Sequence, residues 1–210
     1  MRKYTLDANL FFNMEADLGL GEKTEEVVTQ LASMGKKLKT SKKAEFFMPP
    51  RVVDEFLSFF DDKGQPFIKD FLSVITVQSP DLGKLAFPAQ TFYKLVDDIR
   101  LRSYKGLNIG EEEIEKAGRL MMGKKELATK EFQIQIGEVI KKFRARYRQA
   151  TRFGFLDSLA DLDLITLTKE LGGILVSTDE GVIGWGRVFG VKEAPPEVWK
   201  KQLDDLLAES

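Results

Sequence analysis

The chain holds 210 residues, 43% of them apolar, enough core for one domain with an insertion or for two small ones. It has neither cysteine nor histidine, which excludes disulfides, thiolate nucleophiles, iron–sulfur clusters, cysteine- or histidine-ligated metals and histidine-based triads, and leaves Asp, Glu, Lys and Tyr as reactive groups. The formal charge of −1 hides a division: residues 84–152 carry 16 Lys and Arg against 9 Asp and Glu, a net of +7, so the remainder carries −8.

Lys3 to Leu6 reads as a first strand ending at Asp7, and Val27, Val28, Leu31, Met34 and Leu38 recur at helical spacing between Lys23 and Lys39. Glu45 to Met48 reads as a second strand; Pro49-Pro50 stops it and starts a helix from Arg51 to Phe60, with Glu55 in its first turns. A further helix is expected from Gln65 to Leu72, and the run Val74 to Val77 suits a strand. Long charged helices follow from Ala89 to Tyr104 and from Glu111 to Arg152, with Gly106, Asn108 and Gly110 as the turn between them. In the second, Phe132, Ile136, Val139, Ile140 and Phe143 form an apolar stripe, and Lys141, Lys142, Arg144, Arg146, Arg148 and Arg152 crowd its end. A helix dipole accounts for one or two such cations; six make candidate phosphate contacts, with Tyr147 and Phe153 placed to stack on a base or pack locally.

After Gly154 the α/β pattern returns: an apolar helix from Phe155 to Leu171, a stop at Gly172-Gly173, a strand from Ile174 to Ser177, then Thr178-Asp179-Glu180-Gly181. Trp185 and Val188 mark a short helix, and Val191 a final strand. Residues 195–210 read as a last amphipathic helix or tail, with Trp199, Leu203, Leu206 and Leu207 able to dock on the body or on another subunit. No stretch approaches the roughly 18 apolar residues of a membrane span, so a soluble, cytoplasmic protein is expected.

Aspartates recur where buried elements end: Asp7 after the first strand, Asp157, Asp161 and Asp163 in FLDSLADLDLI, and Asp179 in ILVSTDEG. On a helix, Asp157 and Asp161 share one face with Cβ atoms about 6 Å apart, a repulsive pairing that a metal or a basic neighbour makes tolerable. Asp163 points elsewhere on an ideal helix. Parallel strands bring their carboxyl ends to one sheet edge, where Asp7 and Asp179 can meet that helix face. Several carboxylates without thiolate or imidazole suit Mg²⁺ or Mn²⁺ and the activation of water against a phosphodiester. Asn9 and Thr178 are secondary candidates for orienting carboxylates or water, and Glu55 is either a further ligand or an acid favouring its helix's positive end.

The segments LDANLFF, MPPRVVDEF and DLDLITLTKELGGILVSTDEG, in that order, resemble the PIN-domain nucleases. The DxxxDxD cluster, the long helical segment before it and the Phe-rich MPP stretch are more specifically similar to the RNA-free, protein-only ribonuclease P homologues of the Aquifex enzyme. The resemblance implies an α/β fold, a PIN-like domain with a central, mostly parallel sheet flanked by helices, plus a long helical insertion. It implies residues 1–83 as the first part of the PIN domain, 84–154 as protruding helices, 155–192 as its second part and 193–210 as a C-terminal helix or tail. It further implies Asp7, Asp157, Asp161 and Asp179 as catalytic metal ligands, Asp163 as a weaker member, Mg²⁺ or Mn²⁺ as cofactor, and precursor tRNA as substrate. A homo-oligomer without an RNA subunit is the expected assembly.

Three other readings compete. A toxin-type PIN endoribonuclease cutting tRNA or rRNA shares the core motifs but is generally compact, without so long an insertion. A non-catalytic RNA-binding scaffold would use the helices and tail for self-assembly, and metal titration separates it from the nuclease readings. A Mg²⁺-dependent phosphatase calls for a DxD pair after the first strand, where this chain has Asn9 two residues after Asp7, and no Gly-rich phosphate loop stands out.

Overall fold

The structure, a computed structural model, describes residues 1–12, 19–124, 127–152, 154–156 and 158–209. In chain order its elements are β1 (Arg2–Leu6), α1 (Thr24–Thr40), β2 (Ala44–Met48), α2 (Pro50–Ser58), α3 (Pro66–Val74), β3 (Ile75–Val77), α4 (Ala89–Met121), α5 (Thr129–Arg152), α6 (Leu159–Leu171), β4 (Ile174–Val176), α7 (Glu180–Val188), β5 (Lys192–Glu193) and α8 (Pro196–Ala208). Short 3-10 turns cover Ala8–Phe11 and Leu82–Lys84. They form two compact units, one of Met1–Pro88 with Leu156–Ser210, the other of Ala89–Phe155.

The first unit is built on a sheet in the order β3-β2-β1-β4-β5, every described pairing parallel. Central β1 is paired on both sides, Tyr4 facing Phe46 and Ile174 in register. Such a strand has two buried faces, and its last residues Tyr4, Thr5 and Leu6 are all fully buried. Period two sends them to opposite sides. Tyr4 donates its hydroxyl to Gln202 of α8 at 3.0 Å, whereas the Thr5 hydroxyl meets that of Thr168 on α6. Helix α1 packs on the Tyr4 side, where Gly35 leaves room for the Phe46 ring: a Cβ there would stand 3.0 Å from it.

The chain order matters for the site. From β1 the sheet grows outward through β2 to β3, then restarts on the other side with β4 and β5. The reversal lies between β1 and β4, and a crevice at the carboxyl ends of two such strands is where open α/β sheets take ligands. A second aromatic cluster underlies the turn after β1: Phe11 lies edge-on to Phe56 of α2 and Phe71 of α3, with centroids 5.2 and 5.0 Å away. These edge-to-face contacts anchor the turn that carries Asp7.

The second unit is an antiparallel pair, α4 and α5. The expected turn at 106–110 is absent: α4 continues through Gly106, Asn108 and Gly110 to Met121. Gly106 is a packing position, since a Cβ there would fall 2.7 Å from the Tyr147 ring of α5. Helix hydrogen bonds and this close approach outweigh the modest cost of mid-helix glycine. The reversal comes after Met121, where Gly123 has φ +72°. Two helices alone cannot bury much: α5 has no fully buried residue, and Ile114 is 74% exposed.

Other boundaries shift too: α2 ends at Ser58 rather than Phe60, and α3 runs through Val74, so that β3 begins at Ile75. Helix α6 starts at Leu159 rather than Phe155, because the Ser158 hydroxyl caps it by accepting from the Ala160 N–H at 3.1 Å. The helical pairing of Asp157 with Asp161 thus rests on Asp157, which lies outside the described residues. The last strand covers Lys192–Glu193, one residue beyond Val191. Among the described residues no helix is long and apolar enough to cross a membrane.

Candidate active site

Asp7 leaves β1 at the switch point and is 2% exposed. Its N–H continues the sheet by donating to the Val176 carbonyl at 3.0 Å. Its carboxylate caps the following turn, Oδ1 accepting from the Asn9 N–H at 3.2 Å, while Oδ2 accepts from the Ser177 hydroxyl at 2.5 Å. The Ser177 oxygen in turn accepts from the Asp179 N–H at 2.9 Å. One buried hydroxyl therefore ties the two strand-end aspartates together. Asp179 caps α7, its Oδ1 accepting from the N–H groups of Gly181 and Val182 at 2.6 and 3.1 Å. Its other oxygen has no partner among the described residues.

Burial pushes the Asp7 carboxyl up to about 6, against the lowering effect of its hydrogen bonds from Ser177 and Asn9, and the negative charges of Glu55 and Asp179 add to the rise. Glu55, half-buried on α2, and Asp179 thus both lie within electrostatic reach of Asp7. Asp161 is half-buried in the first turn of α6. Asp163, two residues on, is taken by Arg51 of α2, Nη1 donating to Oδ2 at 2.5 Å. Asn9 and Thr178 are half-buried beside the aspartates, Asn9 touching Asp7 through its backbone rather than its amide. Among the described residues no three carboxylates form a set able to hold a metal ion; Asp157 lies outside those residues.

Ser177 and Arg51 were not among the sequence candidates. The signal for Ser177 lies in the sheet register, which the sequence alone does not give: Leu6 pairs with Val176, so the next residues along the two strands are Asp7 and Ser177. Thr178 drew notice instead through its place beside Asp179.

On α5, Lys141, Lys142, Arg144, Arg148 and Arg152 are exposed. Arg146 instead bridges to α4, Nη1 to Glu113 at 2.6 Å and Nη2 to Glu112 at 2.7 Å. Tyr147 packs against Phe143, centroids 5.6 Å apart, and is 43% exposed; Phe153 lies outside the described residues.

The model of the PINc domain ribonucleases matches residues 3–208. The RNA-free ribonuclease P of Thermodesulfovibrio yellowstonii is 34% identical over 202 residues, 96% of this chain and 93% of that protein. Those of Thermococcus kodakarensis and Pyrococcus horikoshii are 32% and 31% identical, covering 98% and 99% of this chain and 96% and 94% of theirs. The chain belongs to the RNA-free ribonuclease P family of PINc-domain ribonucleases. It is an endoribonuclease, and the α/β fold agrees with that membership.

In this ribonuclease Ser177→Ala is expected to strand two atoms at once, the buried Asp7 Oδ2 and the Asp179 N–H. The cost is about 1–3 kcal/mol. Urea unfolding measures it, and a midpoint equal to that of the parent would show that Ser177 is not what holds the two aspartates.

Proposed function

We propose that the chain removes the 5′ leader of precursor tRNA by metal-dependent phosphodiester hydrolysis, without an RNA subunit. The observation that carries this reading is the extent of the similarity: proteins named RNA-free ribonuclease P match along nearly the whole chain, the α4–α5 unit as well as the α/β body. A compact toxin-type nuclease would have no counterpart for those helices. Their exposed cations Lys141, Lys142, Arg144, Arg148 and Arg152 are suited to phosphates of a folded RNA.

The donor chemistry at the switch point fits a divalent cation. Asp7 is a buried carboxylate resisting ionisation with two more acids in electrostatic reach; a hard cation with oxygen ligands relieves such charge, and these three alone do not make its coordination set. Asp7, Asp157, Asp161 and Asp179 are the residues we assign to hold Mg²⁺ or Mn²⁺, with Glu55, Asn9 and Thr178 beside them. The ion, when bound, supplies a water of lowered pKa and positive charge for the phosphate. The protein's own part is to fix the carboxylates: Ser177 and the Asn9 N–H orient Asp7, and the first turn of α7 orients Asp179. In the reaction the water oxygen bonds to phosphorus, the P–O bond to the leader breaks, and the leader oxygen takes a proton.

We further assign the protein to the cytoplasm and to a homo-oligomer. Exposed apolar side chains on the α4–α5 unit, Tyr104, Leu107 and Met122 among them, support an assembly that covers them.

Incubation of the purified chain with 5′-labelled precursor tRNA, in Mg²⁺ or in EDTA, is the test. Metal-dependent release of the intact leader is expected. Cuts inside the mature tRNA, or binding without cleavage, would overturn the reading.

A further inference from the structure

The ion pair between Arg51 and Asp163 brings a cation to an edge otherwise lined by acids. Helix α2 starts two residues after β2 ends, so its first turn stands at the carboxyl edge of the sheet, the edge that carries Asp7 and Asp179. Arg51 and Glu55 are one turn apart and share a face of α2. Helix α2 reaches the site from two sides, Arg51 meeting Asp163 of α6 and the Phe56 ring meeting Phe11 in the turn after Asp7. Asp163 projects from α6 two residues after Asp161.

The geometry of the pair is unequal. Asp163 is mostly covered, its side chain 14% exposed, while Arg51 is 55% exposed. Only Nη1 is engaged; among the described residues the Nη2 and Nε donors have no partner. The carboxylate acts as a mount, and the guanidinium keeps part of its donor fork turned outward. A planar fork of N–H donors matches the non-bridging oxygens of a phosphate, which a lysine point charge does not.

We propose that Arg51 is a phosphate-gripping residue for the RNA backbone at the crevice, and that Asp163 positions Arg51 rather than holding metal. This rests on the reading of the chain as a hydrolase of precursor tRNA. It divides the aspartates of the DxD pair by role: Asp161 stays with the metal set, and Asp163 serves the substrate. Negative charge accumulates on the phosphate oxygens as water adds, so a fixed guanidinium is worth more there than to the resting ion pair.

The test compares Arg51→Ala, Arg51→Lys, Asp163→Asn and the double variant Arg51→Ala with Asp163→Asn, each confirmed folded by its melting curve. Arg51→Ala is expected to lower kcat/KM for precursor tRNA about 10²-fold. Arg51→Lys should recover only part of that loss. Asp163→Asn should cost less than Arg51→Ala, and the double variant should be no worse than Arg51→Ala alone, because one residue acts through the other. In a readout independent of cleavage, Mn²⁺ bound to each variant without RNA, followed by electron paramagnetic resonance, should match the parent in midpoint and stoichiometry. Weakened Mn²⁺ binding in Asp163→Asn would overturn the proposal and return Asp163 to the metal set. So would parental kcat/KM in Arg51→Ala. A parent chain that fails to release the leader would instead overturn the substrate reading, while the Mn²⁺ comparison still decides the role of Asp163.

Discussion

The Asp7→Asn variant is expected to lose leader removal by about 10³-fold or more while gaining stability. The two effects have one cause. A carboxyl raised from its ordinary 3.8 to about 6 by burial binds its proton more tightly in the folded chain than in the unfolded one. Below 3.8 both states are protonated and folding bears no penalty; between that value and about 6 the penalty grows, and above about 6 it is complete. Its ceiling is about 3 kcal/mol. Asparagine keeps the shape and can still accept from Ser177 without ever ionising. In EDTA the variant should therefore exceed the parent in urea midpoint at pH 7.5, with the difference closing by pH 4. A stability difference that ignores pH would show that the Asp7 charge is not what strains the crevice. Parental turnover in the variant would remove Asp7 from the site.

Trp199→Ala is expected to be the most damaging single change far from the chemistry. Trp199 is fully buried in α8, edge-on to Tyr4 with centroids 6.1 Å apart and 5.7 Å from Phe46. It plugs one face of the two central strands. Truncation should cost about 3–5 kcal/mol, the sum of lost burial and a cavity that neighbouring strands cannot close. Trp199→Phe is the control: the indole Nε1 is buried without a partner among the described residues, so losing it strands nothing there, and the cost should stay below about 1.5 kcal/mol. Urea unfolding measures both. Equal midpoints for the alanine and phenylalanine variants would mean that α8 is only loosely docked.

Strands β2 and β4 were legible as short, largely apolar runs and β1 by its Tyr4-Thr5-Leu6 end, each closed by a turn or helix-start signal, Pro49-Pro50, Asp179 or Asp7. Helix α8 was legible as amphipathic, but period alone did not say what it packs on; the answer, β1 and β2 of its own chain, is a tertiary fact. The misplaced turn in the helical region has a clear origin. Gly106, Asn108 and Gly110 read as breakers by local propensity, whereas at Gly106 the missing side chain admits Tyr147 from a residue 41 positions on. The start of α6 was misread for a similar reason, since Ser158 competes with Phe155 only through a cap. At the site the separate aspartates were visible, each at an element end. Their connection was not: the Ser177–Asp7 hydrogen bond joins residues 170 apart in the chain, and the Arg51–Asp163 pair spans 112.

The placement of β1 between β2 and β4 has a consequence for biosynthesis. As the chain leaves the ribosome, β1 gains its first neighbour after some forty residues, but its second only once everything through β4 has emerged. Asp7 waits just as long for the hydroxyl that orients it. Pairings across such separations form slowly, because a long loop of intervening chain must be closed before they form. The crevice is thus completed only after β4 and Ser177 have been made. A nascent chain exposes Asp7 early but acquires an assembled cutting edge only once β4 has emerged.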